Sequence, residues 1–436
     1  MVRQRLLVDV GPLRRHRQFR RLWGGYVVSV LGSQLTVVAL PYQVYRLTHS
    51  SLDVGLIGLA QILPVLAGAL VGGSVADAVD RRRVLLAAQL VMAASSVLLC
   101  LNALSDHPAI WPLYALAATS SAFATVDSSS RSAVIAGLLD RSELASGNAL
   151  WQLLYQLGQV AGPALAGLLI AQVSLGAAYA IDAATFLASM AAVASLRRLP
   201  PGAGGASFGL RSIREGLRFL RGRQALQGTF VIDLNAMILG MPRALFPALA
   251  LVRFHGGART LGLLYAAPSV GALAGALLTG WVAAVRRQGR AVLAAVAVWG
   301  AAIAGFGLVS SLPVALVLLG VAGGADVVSA VFRGTILQTM TPDGLRGRLS
   351  AIHVAVVTGG PRLGDFEAGA VAAAAGTQVS VVSGGLGCLA GVALVGALMP
   401  KLRAYVPGAP PDAATAEGGR EPAAPAPPQS SAEQVL

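Results

Sequence analysis

The stretch from Val54 to Asp77, VGLIGLAQILPVLAGALVGGSVAD, occurs a second time in altered form between Leu261 and Ala284, as LGLLYAAPSVGALAGALLTGWVAA. At a constant offset of 207 positions, 11 of the 24 aligned residues are identical. An Ala-, Gly- and Leu-rich composition inflates such matches, but both copies also run into a cluster of arginines, Arg81 to Arg83 and Arg286 to Arg287. The chain is therefore predicted to contain two copies of one helical unit.

The composition places these units in a membrane. Of the 436 residues, 55% are hydrophobic and 12% are charged, with a mean hydropathy of +0.69. Soluble domains carry about 25% charged residues, and this chain has too little polar surface to cover so much apolar area in water. A soluble enzyme is excluded, and an all-α integral membrane protein is predicted.

Twelve apolar stretches are long enough to cross the hydrocarbon core, which takes about 20 residues per helix. The eleventh is the least regular because it contains Pro361, Arg362, Asp365 and Glu367. The predicted transmembrane spans are 22–46, 54–76, 83–105, 110–133, 144–171, 176–196, 226–251, 260–284, 290–310, 312–337, 350–375 and 378–399.

The basic residues predict the orientation. The net charge is +14, but most arginines lie in alternate loops, which is the pattern of cytoplasmic loops and not of a nucleic-acid-binding surface. One face receives the basic N-terminus and six further basic segments, whereas the other face receives only Arg46, Arg253 and Arg259. We call these the Arg-rich and the Arg-poor face. A bacterial inner-membrane location with both termini cytoplasmic is predicted.

The spans divide into two halves around the longest internal loop. That loop contains apolar and arginine residues at the spacing of an amphipathic helix on the membrane surface. The tail is rich in Pro and Ala and is predicted to be disordered. The predicted divisions are a cytoplasmic N-terminus 1–21, a six-helix half 22–196, a linker 197–225, a second six-helix half 226–400 and a tail 401–436.

The sequence lacks the motifs of several classes of enzyme and metal site. The only lysine is Lys401, so no P-loop exists and the protein does not hydrolyse ATP itself. There is no HExxH and no GxSxG sequence, and Cys100 and Cys388 are isolated in apolar stretches. No enzymatic activity, cofactor or metal site is predicted.

The segment after the second span carries Gly73, Asp77, Arg81 and Arg82. It resembles the signature loop of the major facilitator superfamily, whose parallel repeat of two six-helix halves also fits this chain. The resemblance implies that Asp77 pairs with charges of the other half and acts as a conformational latch. Ala78 and Asp80 depart from the pattern, and an ordinary positive-inside loop is the alternative.

The fifth span contains Gly158, Gly162, Pro163 and Gly167. Pro163 removes one backbone hydrogen bond and is expected to kink the helix. The segment resembles the antiporter motif of proton-driven exporters, although Ala166 stands where a second glycine is usual. Small-residue packing between helices is the alternative.

Charges inside spans cost about 2.5–3.5 kcal/mol each on insertion scales, so each is a functional candidate. Asp233 has no basic neighbour within a turn of its own helix and is the first candidate for proton coupling. Opposite charges three or four residues apart can instead form structural pairs. The other coupling candidates are Asp365, Glu367 and Asp127, and the candidate partners within the membrane are Arg131, Asp326, Arg333 and Arg362.

Amphipathic side chains within the spans are candidates for a substrate cavity. Gln34, Trp151, Tyr155 and Tyr265 would suit an aromatic, partly polar molecule. Helix packing is the alternative for each of them.

Over about residues 10–405 the chain resembles the enterobactin exporter branch of the superfamily. The segments that carry this resemblance include His16 to Arg20, Leu47 to Ser51, Cys100 to Leu104, Glu215 to Leu220 and Gln338 to Pro342. It implies a monomeric, proton-coupled exporter of a catecholate siderophore that works by alternating access. The partners would be the lipid bilayer, protons and the small-molecule substrate. Multidrug or macrolide efflux and a non-transporting receptor or scaffold are the alternatives.

Overall fold

The computed structural model describes residues 9–197 and 210–407, without the side chains of 70–71, 73–77, 210–213, 279, 283, 343 and 351. Within these ranges every regular element is helical. The helices are α1 Gly11–Arg15, α2 Arg17–Thr48, α3 Ser51–Ala78, α4 Arg81–Leu104, α5 Trp111–Leu138, α6 Leu144–Gln172, α7 Leu175–Ala194, α8 Leu210–Leu220, α9 Gln224–Leu239, α10 Phe246–Ala248, α11 Gly257–Leu277, α12 Gln288–Leu308, α13 Leu312–Met340, α14 Arg346–Ala375, α15 Thr377–Leu398 and α16 Pro400–Arg403.

Among the described residues, ten helical segments are long and apolar enough to cross a membrane. The two other predicted spans coincide with α5 and α14, which have 28 and 30 residues. Both helices carry charged residues within their predicted spans, and α5 also contains a run of serines, which lowers their hydropathy. The predicted all-α membrane fold is confirmed.

The seventh predicted span, 226–251, corresponds to a helical segment of membrane length, Gln224–Arg253, but this segment is not one continuous α-helix. The α9 helix ends at Leu239, and a 3-10 turn Arg243–Leu245, α10 and a π-helical turn Leu249–Arg253 follow it. Pro242 explains the break because it lacks an N–H group. The carbonyl of Gly240, freed at the break, accepts a hydrogen bond of 2.8 Å from Trp299. Inside a membrane, a backbone carbonyl that has lost its helical partner needs another hydrogen-bond donor from the protein.

The two halves repeat each other in their packing. In the first half, α3 packs on α5, α2 packs on α6 and α7, and α4 packs on α5 and α7. The second half has the same arrangement with α11 on α13, α9 on α14 and α15, and α12 on α13 and α15. The repeat found in the sequence therefore corresponds to a repeat of tertiary structure.

The halves meet along two equivalent seams, α3 against α14 and α11 against α6. Gly55 and Gly262, which occupy the same position in the sequence repeat, each lie in one seam. A Cβ on Gly55 would be 2.5 Å from the carbonyl oxygen of Asp365, and one on Gly262 would be 2.5 Å from that of Pro163. Both positions need glycine because the helix backbones approach too closely for a side chain.

The seams are closest toward the Arg-poor face. The tight glycine contacts between the halves involve the first residues of α3 and α11 and the later parts of α6 and α14, which all lie toward that face. The described glycines that contact the opposite half this closely are Gly55, Gly58, Gly167, Gly262 and Gly369.

The linker between the halves contains the predicted helix, observed as α8. It packs on α14, where Glu215 forms an ion pair of 3.0 Å with Arg348. Its position on a membrane surface stays a prediction. Residues 198–209 of the linker and 408–436 of the tail lie outside the described residues.

Candidate functional site

A buried polar cluster in the first half is built around the carboxylate of Asp127 on α5. Arg131, one turn later on the same helix, lies 2.7 Å from this carboxylate. The hydroxyl of Tyr26 donates a hydrogen bond to it over 2.6 Å, and the amide of Gln89 donates another over 3.2 Å. Three helices, α2, α4 and α5, thus supply partners for one carboxylate within the membrane.

The guanidinium of Arg131 extends this cluster toward two aromatic rings. It lies 4.4 Å from the centre of the Trp151 ring and 4.9 Å from that of Tyr26. The two rings meet edge to face with centres 5.0 Å apart. The Arg131 side chain is 17% exposed, against 5% for Asp127, so the outer side of this cluster is accessible. This arrangement suits contact with an aromatic molecule.

The second half has a corresponding cluster with a different connection. Arg333 on α13 lies 2.6 Å from Asp233 on α9 and 3.7 Å from Asp326 on α13. The side chains of Arg333 and Asp233 are 5% and 2% exposed, whereas that of Asp326 is 37% exposed. The sequence pairs Arg333 with Asp326 by spacing, but the helix packing gives it a closer partner in Asp233, 100 positions away.

The charges of α14 lie at the seam between the halves. Arg362 donates a hydrogen bond of 3.3 Å to Gln61 on α3, across the two halves, and one of 2.5 Å to the carbonyl of Thr358. Asp365 accepts a hydrogen bond of 3.1 Å from the backbone N–H of Ala244, just after the break in the seventh span. Glu367 is partly exposed and forms no ion pair with a described residue.

The four cavity candidates lie in different environments. Gln34 is buried beneath Gly162, so it serves packing in this conformation. Tyr155 is 48% exposed, and Trp151 is partly exposed beside Arg131. The ring of Tyr265 stacks edge to face on Phe246 with centres 5.1 Å apart.

The glycine motif of α6 packs on two neighbours. Gly158 and Gly162 face Val30 and Gln34 of α2 in their own half, whereas Gly167 faces α11 of the other half. A Cβ on Gly167 would lie 2.6 Å from the carbonyl oxygen of Ala258. Small-residue packing therefore accounts for these glycines, and a role in antiport stays a prediction.

The signature-like loop is only partly described. Gly73 and Asp77 belong to α3, but their side chains lie outside the described residues. Arg81 donates a hydrogen bond of 3.2 Å to the carbonyl of Ala133, and Arg82 donates one to that of Ala194. These two bonds stay within the first half, so the latch between halves stays a prediction.

Glu143, in the turn before α6, lies among cations on the Arg-rich face. It accepts a hydrogen bond of 2.9 Å from Arg15 and pairs with His16. These bonds, with the His16 one dominant, lower the pKa of the Glu143 carboxyl below its ordinary value. Asp140 lies close enough for the three side chains to reach one ion, but Arg15 and His16 already engage Glu143.

One further buried acid was counted among the intramembrane charges but was not selected as a coupling candidate. Asp182 on α7 is 2% exposed and accepts hydrogen bonds of 2.6 Å from Thr36 and 2.8 Å from Ser96. It lies inside the first half, away from the seams. Its two donors come from helices more than 80 positions away, which spacing along one helix does not reveal.

Comparison with known proteins identifies the family to which the sequence is similar. Over residues 9–407 the chain matches the transmembrane secretion effector family. It is 30% identical over 405 residues to an enterobactin exporter of Citrobacter koseri, covering 93% of this chain and 97% of the relative. It is 31% identical over 389 residues to an enterobactin exporter of Shigella boydii, covering 89% of this chain and 93% of the relative.

Solved transporter structures share the fold. A bacterial homolog of the human lysosomal transporter Spinster, in an inward-facing and unoccupied conformation, superposes with a TM-score of 0.68 at 14% identity, over 92% of this chain and 100% of the homolog. A POT family transporter in complex with 5-aminolevulinic acid superposes with a TM-score of 0.70 at 10% identity, over 89% of this chain and 97% of that transporter. The major facilitator fold predicted from the repeat is confirmed.

Proposed function

The chain belongs to the transmembrane secretion effector family of the major facilitator superfamily, and we propose that it is a proton-coupled exporter of a catecholate siderophore. It is a multi-pass inner-membrane transporter of a small molecule, and not an enzyme. The siderophore comes from its relatives, which are named as enterobactin exporters. The exporter works as a monomer, because each half supplies its own buried charge cluster.

Alternating access is the mechanism we propose. The halves are in tight contact toward the Arg-poor face, at glycines such as Gly55 and Gly262. With the Arg-rich face in the cytoplasm, as the positive-inside rule requires, the central space then opens inward. An exporter loads its substrate from this side, and rocking of the halves about the two seams exposes it to the other.

The observation that carries the coupling proposal is the ion pair between Asp233 and Arg333, at 2.6 Å within the membrane. A proton on Asp233 removes the charge that Arg333 binds. Asp326, at 3.7 Å from Arg333, then offers the alternative partner. Because Asp233 and Arg333 lie on different helices, a change of partner alters the contact between α9 and α13. Asp365, Glu367 and Asp127 are the other candidates for the same role.

The test is transport into energised inverted vesicles, with and without a protonophore, using enterobactin and, in parallel, erythromycin. The variants are Asp233→Asn and a matched control in an exposed loop, Asp106→Asn. We expect protonophore-sensitive uptake of enterobactin by the wild type and the control, and its loss in Asp233→Asn. The membrane potential contributes about 2.3 kcal/mol per charge per 100 mV to a coupled cycle.

Each alternative outcome of the vesicle assay contradicts a different part of the proposal. Uptake that is indifferent to the protonophore rules out proton coupling. Sensitive uptake retained by Asp233→Asn moves coupling to another carboxylate. Uptake of erythromycin alone identifies a macrolide efflux transporter, for which the aromatic surroundings of Arg131 are also suited. No flux of either compound leaves a receptor or scaffold.

A further inference from the structure

Two arginines of the second half lie close to one contact, where the turn Arg243–Leu245 packs on α14. Arg243 follows the break in the seventh span, and Arg362 lies on α14. The backbone N–H of Ala244, next to Arg243, donates a hydrogen bond of 3.1 Å to Asp365, which lies three residues after Arg362 on α14. Tyr155, from the opposite half, is near enough to Arg362 to affect it. The pair therefore borders the space between the two halves.

Arg243 is the less satisfied of the two. Its side chain is exposed, and no carboxylate oxygen of a described residue lies within 4.0 Å of its guanidinium. The nearby acids have other partners, because Asp365 accepts the N–H of Ala244 and Asp326 lies beside Arg333. An arginine carries five N–H donors in a fixed fork, and those of Arg243 are available to a ligand.

The position of Arg243 follows from what it interacts with. The turn Arg243–Leu245 packs on α14 and also on α3, which belongs to the first half. The hydroxyl of Tyr265 on α11 donates a hydrogen bond of 3.3 Å to the carbonyl of Arg243. The exposed side chain of Arg243 therefore lies where the two halves meet.

We propose that Arg243 and Arg362 bind the anionic oxygens of an aromatic substrate, with Tyr155 and Tyr265 beside the ring. A guanidinium binds two neighbouring oxygens in a fork, which matches a catecholate or an aromatic carboxylate. This inference rests on the proposed export function and specifies the chemical class that its substrate site takes. It also gives the charged segment of α14 a role.

The same site responds to the conformation of the transporter. Arg362 forms its hydrogen bond to Gln61 across the seam that closes the Arg-poor face. When the halves separate on that side, Gln61 and Arg362 move apart because they belong to different halves. The arginine pair therefore has one more protein partner in the inward-open state than in the outward-open state.

The experiment measures binding to the purified full-length protein in detergent, by equilibrium dialysis at neutral pH. The probes are 2,3-dihydroxybenzoate, an anion, and its uncharged methyl ester. We expect the wild type to bind the acid about tenfold more tightly than the ester, as one charge-assisted contact provides. Arg243→Gln and Arg362→Gln should each remove most of this preference. Arg243→Lys should keep it, and the exposed control Arg259→Gln should not change it.

Gel filtration of every variant, together with ester binding, shows that the fold is retained. Equal binding of acid and ester by the wild type, binding of neither probe, or a preference that survives in Arg243→Gln would each overturn the proposal. The vesicle assay with enterobactin is independent of this measurement. Intact enterobactin transport without an acid preference refutes the anion site alone, whereas an acid preference without transport refutes the exporter function alone.

Discussion

The guanidinium of Arg333 on α13 lies 2.6 Å from the carboxylate of Asp233 on α9, with both side chains almost fully buried. In the first half the equivalent helix α5 pairs Asp127 with Arg131 on the same helix, at 2.7 Å. The two halves thus share an arginine paired with an aspartate on their fourth helix but differ in which helix supplies the aspartate. Only the second-half pair joins two helices, so only this pair can separate when helices move.

Breaking this pair should destabilise the protein strongly. Asp233→Asn or Arg333→Gln leaves one buried charge without its partner, which costs about 3–5 kcal/mol of unfolding free energy. The double variant should lose less unfolding free energy than the two single variants lose together, because no lone charge remains. Denaturation in detergent measures all three. Arg348→Gln, which breaks the half-exposed pair with Glu215, is the control and should cost about 0–1 kcal/mol. Additive effects of the two single changes would disprove the pairing.

The seam glycines should control which face is closed. Gly55→Ala and Gly262→Ala place a methyl group 2.5 Å from a backbone carbonyl oxygen of the other half. We expect a longer distance between spin labels at His107→Cys and Arg259→Cys, which lie in exposed positions of opposite halves toward the Arg-poor face. The control Gly24→Ala has open space around its Cβ and should leave the distance unchanged. An unchanged distance in both seam variants would contradict the close packing.

The contact between α1 and α6 should depend on pH. Hydrogen bonds from His16 and Arg15 lower the pKa of Glu143 below its ordinary value of 4.5. A lowered pKa in the folded state stabilises the protein above the ordinary pKa, and this stabilisation is lost as the pH falls through the folded value. The thermal midpoint of the wild type should therefore fall more steeply below about pH 4.5 than that of Glu143→Gln. Asp140→Asn is the neighbouring control, and identical slopes for wild type and Glu143→Gln would rule out the linkage.

The orientation can be tested with single cysteines in a variant that lacks Cys100 and Cys388. A membrane-impermeant maleimide added to whole cells should label His107→Cys, because the loop between α4 and α5 lies on the Arg-poor face. It should label Arg286→Cys only after the cells are broken, since that residue lies on the Arg-rich face. Both positions are exposed, so access to the reagent depends on the membrane alone. The reverse pattern would place both termini outside.

The buried charges differ in how far they could be predicted. Asp127 and Arg131 pair as their spacing of four residues indicates, because one helical turn brings them to the same face. Gln34 is also in a span as predicted, yet it is buried beneath Gly162 and does not line an open cavity. Whether a polar side chain faces the centre or a neighbouring helix depends on the rotation of its helix. The weak amphipathicity of fully apolar spans leaves that rotation undefined in the sequence.

Arg243 is one of the charges within the predicted spans but was not selected as a site residue, for a related reason. Its position in the seventh span does not show which way its side chain faces. The break at Gly240 to Pro242 ends α9 early and brings the following turn next to Asp365, more than 100 positions later. The proline in that span was the available signal for the break, but it did not indicate which side chain would be turned inward.

The sequence by itself determined the membrane class, the repeat and the helical spans, because hydropathy, helix length and glycine content act locally along each segment. The tertiary structure alone decided that Arg333 pairs with Asp233, that Arg362 reaches Gln61 in the opposite half, and that Gly55 and Gly262 lie in equivalent seams. These relationships join residues 100 or more positions apart or place them against another half. They are set by how helices rotate and approach one another, which packing fixes and a linear pattern does not.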